Sequence, residues 1–356
     1  MCRPSPASVP VEIASSSVVR LTQRILDLHL RHTFRLSRGA SDLRRNVIVE
    51  LEHEGRIGMG EAAPIARYRE DSDSAAAALT AMAAAIEHPR AFDRAAAAVA
   101  VPGQNAAEAA LDMALYDLAG RRFGVPVYEL LGLDPRATPV TSFTIGMDTP
   151  EVVAAKVKEA SDYEVLKVKL GADDDRAVLE AVRDTTDRPL RVDANEGWSF
   201  EGAEERLAWL ARMGVELVEQ PLPADRIEET RALRRLSPLP FFADESVHRA
   251  EDIPKLAGAF DGINIKLMKC GGLGEALRMI HVARAHGLEV MLGCMIESSI
   301  AITAAAHLSP LVDHADLDGH LLVTNDPYLG ATVEGGRLVL PERPGLGVVR
   351  REDGPG

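Results

Sequence analysis

Asp261-Gly262-Ile263-Asn264-Ile265-Lys266, continued by Leu267-Met268-Lys269-Cys270-Gly271-Gly272, is the stretch whose reading decides the fold. A short apolar run that ends in a lysine and breaks into paired glycines reads as a strand with an ammonium at its terminus. In a barrel of parallel strands that end is the mouth, where active sites gather. Lys266 closes the strand run; Lys269 lies beyond it in the turn and supports the loop.

Outward from this stretch the same grammar repeats. Short β-branched runs at 139–145, 164–170, 189–193, 216–219, 240–244, 262–266, 288–293 and 312–318 alternate with helical patterns. Eight strand–helix alternations predict an α/β barrel. Ahead of it, 16–31 and 46–51 alternate polar and apolar residues around a polar loop at 36–42. Gly55, Gly58 and Gly60 punctuate a further turn and strand, so this part reads as an antiparallel meander. Alanine-rich helical runs follow at 72–88, 90–99 and 105–123. The expected division is a disordered 1–15, an α+β domain over 16–137, the barrel over 138–324, and a C-terminal segment, 325–356, returning to the first domain.

The 356 residues are 46% hydrophobic, ordinary for a globular chain. The formal charge, 40 − 54 = −14, repels phosphate backbones and anionic lipid, which argues against nucleic-acid and membrane partners. Three cysteines without paired spacing fit a reducing compartment. The first ten residues carry no apolar core of a signal peptide, and no apolar run approaches the ~20 residues of a membrane span. The expectation is a soluble cytoplasmic protein.

The strand ends carry the chemistry. The second ends Lys167-Val168-Lys169, the third Asp193-Ala194-Asn195, the fourth Glu219-Gln220-Pro221, the fifth Asp244-Glu245-Ser246, the sixth Lys266, and the eighth Asp316-Leu317-Asp318. Asp193, Glu219 and Asp244 are each one strand–helix unit apart, so three adjacent strands present one carboxylate each to a common point. Crowded carboxylates repel, and a hard divalent cation removes that cost. Oxygen-only ligands suit Mg²⁺, with Mn²⁺ the alternative.

Lys167 and Lys169, at i and i+2, share one face of their strand. The second and sixth strands of eight lie across the barrel, so Lys169 and Lys266 approach a bound molecule from opposite sides. Two amine bases on opposite faces of one carbon are what inversion at that carbon requires. Neighbouring positive charge lowers a lysine pKa towards the range of a useful base. The proton removed is one α to a carboxylate, and a divalent ion stabilises the enediolate charge that results. Lys167, beside the base, can hold the same carboxylate. Gly271-Gly272-Leu273-Gly274 lacks the spacing of a phosphate loop. Cys294 has no histidine evidently placed to activate it, and the ten histidines show no metal-ligand spacing.

At these residues the chain resembles the enolase superfamily, muconate-lactonizing-enzyme subgroup, and within it the dipeptide epimerases. The resemblance implies a modified (β/α)7β TIM-like barrel with an N-terminal α+β capping domain. It implies Mg²⁺ on Asp193, Glu219 and Asp244, and proton transfer by Lys169 and Lys266. Asp316 and Asp318 would hold the ammonium of a dipeptide's first residue, Thr144 would contact substrate, and Cys294, Met295 and Ile296 would wall the pocket. Ser37-Arg38-Gly39 resembles the loop that closes over the site, and Arg38 there implies an acidic second side chain, as in L-Ala-D/L-Glu. The expected partner is a small dipeptide, and the sequence is compatible with a homo-oligomer. Alternatives are another reaction of the subgroup (o-succinylbenzoate synthesis, N-acylamino acid racemisation, cycloisomerisation) or a non-catalytic dipeptide-binding protein. N-acylated substrates have no ammonium and leave the Asp pair without purpose.

Overall fold

Strands β1 (Arg20–Leu36), β2 (Gly39–His53) and β3 (Arg56–Ala62) form an antiparallel sheet in that order. The computed structural model describes residues 19–36, 39–87, 89, 90, 96, 98–171 and 175–353. The expected disordered 1–15 and most of the expected helix at 90–99 lie outside them. The polar stretch at 36–42 is shorter as a loop than its composition suggests. Phe34 pairs with Ser41, Arg35 with Ala40 and Leu36 with Gly39, beyond a register shift between His29 and Phe34. Ladder bonds are made by the backbone, so polar side chains did not prevent the ribbon from extending.

Helix Asn105–Phe123 packs on this sheet and is buried from Ala106 to Gly120. A Cβ at Gly60 would lie 1.9 Å from the Ala110 carbonyl oxygen, so strand and helix touch backbone to backbone. The helix also buries three carboxylates, each with a partner elsewhere in the chain. Glu108 pairs with Arg249 at 2.6 Å. Asp112 accepts the Leu273 N–H at 2.5 Å. Asp117 accepts N–H bonds from Met59 at 2.8 Å and from Leu346 at 2.7 Å. The paired glycines follow from this contact: Gly272 has φ +122°, and a Cβ there would sit 2.3 Å from Asp112 Oδ2.

Eight parallel strands form the second sheet: β4 (Ser142–Ile145), β5 (Val165–Lys169), β6 (Leu190–Asp193), β7 (Val215–Glu219), β8 (Phe241–Ala243), β9 (Gly262–Lys266), β10 (Glu289–Gly293) and β11 (His314–Asp316). Each pairs with the next in sequence. A parallel bridge between Thr141 and Ala315, and a bond from the Leu317 N–H to Thr141 Oγ1 at 2.8 Å, bring β11 back to β4. Helices fill all seven crossovers, and no α-helix follows β11 in the described residues, so the sheet is a (β/α)7β barrel. The β8–β9 crossover is slight, only a 3-10 turn and the four-residue helix Ile253–Leu256.

The C-terminal segment crosses to the first domain. Gly345 exchanges backbone bonds with Val125 and Val127, and Arg350 pairs with Glu50 at 2.7 Å. Among the described residues no helix is long and apolar enough to cross a membrane.

The buried acids between the domains carry a pH signature. Burial pushes the Asp112 carboxyl up to about 8, against an ordinary 3.8. The folded chain keeps that proton over a range where the unfolded chain has lost it, so stability falls as pH rises from about 4 to about 8. Glu297, at about 8, and Glu70, at about 7, are raised by burial and act in the same direction. Asp112→Asn keeps the shape and removes the titration. We expect it to flatten the slope between urea midpoints at pH 5 and pH 8; an unchanged slope would refute the assignment.

Candidate active site

Strand register sets the site. Lys169 on β5 is opposite Asp193 on β6, which is opposite Glu219 on β7. Asp244 lies just past β8. It is held there by Gln220, whose Oε1 accepts the N–H groups of Asp244 at 3.0 Å and Ser246 at 3.1 Å. Gln220, Asn195 and Glu196 all have positive φ without being glycine. Such strain at strand ends clusters where side chains must be aimed. The Asp193, Glu219 and Asp244 carboxylates are buried and present oxygens within 4.8 Å of one another.

Four lysines face them. Lys167 Nζ lies 2.7 Å from Asp316 Oδ2, 2.8 Å from Glu219 Oε2 and 3.2 Å from Asp193 Oδ2, with its side chain 2% exposed. Lys169 Nζ is 2.5 Å from Asp193 Oδ2, and Lys266 Nζ is 2.8 Å from Asp244 Oδ2. Lys269 donates to the other Asp244 carboxylate oxygen, to the Asp244 carbonyl at 2.6 Å and to the Asn264 carbonyl at 3.1 Å. Lys266 lines the cavity described below and Lys269 does not. Lys269 thus ties the turn to Asp244 from behind.

The charges shift one another. Burial opposes ionisation of Asp193, but Lys169 and Lys167 hold its carboxyl below the ordinary range. Burial likewise opposes ionisation of Asp244, and Lys266 and Lys269 overcome it. Burial, then the charge on Asp193, pushes Glu219 up to about 8. Burial disfavours the Lys266 ammonium, but Asp244 and Glu219 more than compensate and raise its pKa.

At the end of β11, Asp316 Oδ1 accepts from Ser142 Oγ at 2.6 Å, and two residues past the strand Asp318 Oδ2 accepts the Thr144 N–H at 2.6 Å. Burial and the Asp316 charge push Asp318 up to about 6. Lys167, Lys169, Asp244, Lys266, Thr144, Cys294, Met295, Ile296, Asp316 and Asp318 all border one cavity of about 710 Å³, its open mouth included. Asp193 and Glu219 lie beneath it. Arg38 lies outside the described residues. Burial pushes the Cys294 thiol far up, which fits a wall and not a nucleophile.

Sequence reasoning missed several contributors. Asn264 Nδ2 donates to Glu219 Oε1 at 3.0 Å. It is two residues before Lys266, so strand alternation could have placed it inward. Ser142, two before Thr144, carried the same signal. Phe34, Arg44, Ile65 and Tyr68 close the cavity from the first domain. Nothing in their local sequence marks them, because only the domain packing brings them there.

Residues 19–132 match the family model of the mandelate racemase / muconate lactonizing enzyme N-terminal domain, and 151–354 match the enolase C-terminal domain-like model. An L-Ala-D/L-Glu epimerase of Bacteroides thetaiotaomicron is 43% identical over 91% of this chain and 86% of its own. An L-Ala-D/L-amino acid epimerase of Pedosphaera parvula is 45% identical, covering 90% and 97%. A dipeptide epimerase from Enterococcus faecalis, solved with Mg and L-Leu-L-Tyr, superposes with a TM-score of 0.88 at 33% identity, over 93% of this chain and 99% of that one.

Proposed function

Because this chain belongs to the enolase superfamily, in its mandelate racemase / muconate lactonizing enzyme branch, we propose that it is a Mg²⁺-dependent dipeptide epimerase. It inverts the α-carbon of the second residue, with Mn²⁺ as the alternative ion, and L-Ala-L-Glu is the first substrate to try. The observation that carries this reading is the pair Lys169 and Lys266. They border one cavity from β5 and β9, four strands apart in a cycle of eight, with the carboxylate trio between them.

The trio fits a hard divalent ion. It offers only oxygen donors, all buried, within 4.8 Å of one another. Bound by Asp193, Glu219 and Asp244, such an ion supplies positive charge that stabilises the anion formed at the substrate carboxylate and disfavours the charged form of nearby lysines. The chain's own residues do the rest. Lys167 points its ammonium at the floor of the cavity, where the substrate carboxylate would lie. One lysine takes the α-proton from its face, and the ammonium of the other returns a proton to the opposite face. The reverse reaction exchanges their roles. Asp318, with Asp316, receives the ammonium of the first residue.

The test is α-deuterium uptake and chirality of the second residue when L,L-dipeptides are incubated in D₂O with Mg²⁺. Inversion with deuterium incorporation is expected, and no exchange across a broad dipeptide library would sink the reading. Uptake confined to N-succinyl amino acids would transfer it to racemisation of N-acylated substrates. Asp316 is already engaged by Lys167 and Ser142, so Asp318 is the cleaner probe of ammonium binding. Asp318→Asn is expected to raise KM for dipeptides by about 10- to 100-fold while Mg²⁺ affinity, read by calorimetry, stays put. Parallel loss of both would show that Asp318 serves the metal site instead.

A further inference from the structure

The first domain contributes a charged group to the cavity whose purpose the chemistry above leaves open. Phe34, Arg44, Ile65 and Tyr68 form that side of the wall. Arg44 on β2 is half-buried and has no carboxylate within ion-pair distance among the described residues. Its side chain makes one hydrogen bond there, to the adjacent Leu43 carbonyl at 3.3 Å. Burial pushes its guanidinium pKa down, and among the described residues no neighbouring anion offsets that. Its neighbour Arg45, by contrast, pairs with Asp27 at 3.3 Å. A partly desolvated, unpaired guanidinium is unfavourable unless a ligand supplies the anion, and a carboxylate is the partner its planar fork fits best.

The directions around the reacting carbon say which part of the substrate arrives there. The α-hydrogen is exchanged along the line between Lys169 and Lys266. The carboxylate points to the floor, at Lys167 and the trio. The amide nitrogen leads to the first residue and to Asp318, just past β11. One substituent remains, the side chain of the residue being inverted; of the walls left to it, Cys294, Met295 and Ile296 after β10 carry no positive charge, whereas the first domain presents Arg44.

Resting on the epimerase reading, we propose that Arg44 is a specificity-determining residue that receives an anionic side chain on the second residue, so that Glu or Asp is preferred there. This position is distinct from Arg38, and it lies on a strand and not in the closing loop. A charged hydrogen-bonding pair formed equally in ground and transition states acts mainly through KM.

The experiment compares L-Ala-L-Glu with its neutral isostere L-Ala-L-Gln by α-deuterium uptake, in the wild type, Arg44→Met and Arg44→Lys. Taking the ratio of the two kcat/KM values in one preparation cancels any difference in the folded fraction. We expect the wild type to favour Glu by at least about tenfold. Arg44→Met should cut that ratio by about 10- to 100-fold, chiefly through KM for the Glu substrate, and Arg44→Lys should retain part of it. A wild-type ratio near one, or a ratio unchanged in Arg44→Met, overturns the assignment of Arg44 and leaves the epimerase reading standing. Absence of exchange with any dipeptide overturns both.

Discussion

Lys266→Met is expected to lower epimerisation by roughly 10²- to 10⁴-fold and yet to leave one half of the reaction intact. With Lys266 gone, Lys169 still faces the α-carbon from β5. It can remove the proton from the configuration that presents hydrogen to it, exchange that proton with solvent, and return deuterium to the same face. The variant should therefore label one configuration of the dipeptide, with retention, and leave the other unlabelled. Lys169→Met should show the mirror behaviour. Mass and chiral analysis of the recovered dipeptide separates the cases. If both variants label both configurations, or either still inverts at the wild-type rate, the two lysines are not opposed bases.

The second large effect concerns stability. Lys167 compensates Asp316, Glu219 and Asp193 at 2.7, 2.8 and 3.2 Å in a nearly dry environment. Removing one partner of a buried ion cluster leaves uncompensated charge and typically costs about 3–5 kcal/mol. Lys167→Met should lose stability of that order in metal-free protein, read as a lower urea midpoint. Part of the loss is escapable, because Glu219, already pushed up to about 8, can stay protonated. A carboxyl raised in the folded state contributes less stability as pH rises above its unfolded value, so the deficit should deepen from pH 5 to pH 8. Mg²⁺ should raise the variant's midpoint more than the wild type's, because the trio has lost a competing cation. A midpoint indifferent to the substitution, with and without Mg²⁺, would show that the lysine is not what balances the cluster.

Much of this is legible in the sequence, for identifiable reasons. Barrel strands are short, β-branched and evenly spaced, and an ionisable residue at a strand end stands out against the apolar run before it. Lys167, Lys169, Asp193, Glu219, Asp244 and Lys266 are all of this kind, and all gather at one mouth. Spacing could not reveal Gln220 as the clamp between β7 and β8, because its role depends on a backbone turned to positive φ. Nor could it reveal Arg44, which reaches the cavity only through the packing of one domain on another. Glu108, Asp112 and Asp117 sit in an alanine-rich helix whose spacing does not tell which of its acids are covered. They are buried, and each binds a segment far away in the chain.

The bond from Leu346 to Asp117 spans 229 positions. Seen from the ribosome, the meander and its helix emerge first, yet the segment that seats against that helix arrives only after every strand of the barrel has been made. The nascent first domain must wait with the Leu346 bond to Asp117 and the Gly345 bonds to the Val125–Val127 edge still unmade, although Met59 already holds the Asp117 carboxylate. During synthesis that segment becomes available to the first domain only after the barrel strands have emerged, so the contacts that tie the cap to the C-terminal segment are the last for which both partners exist.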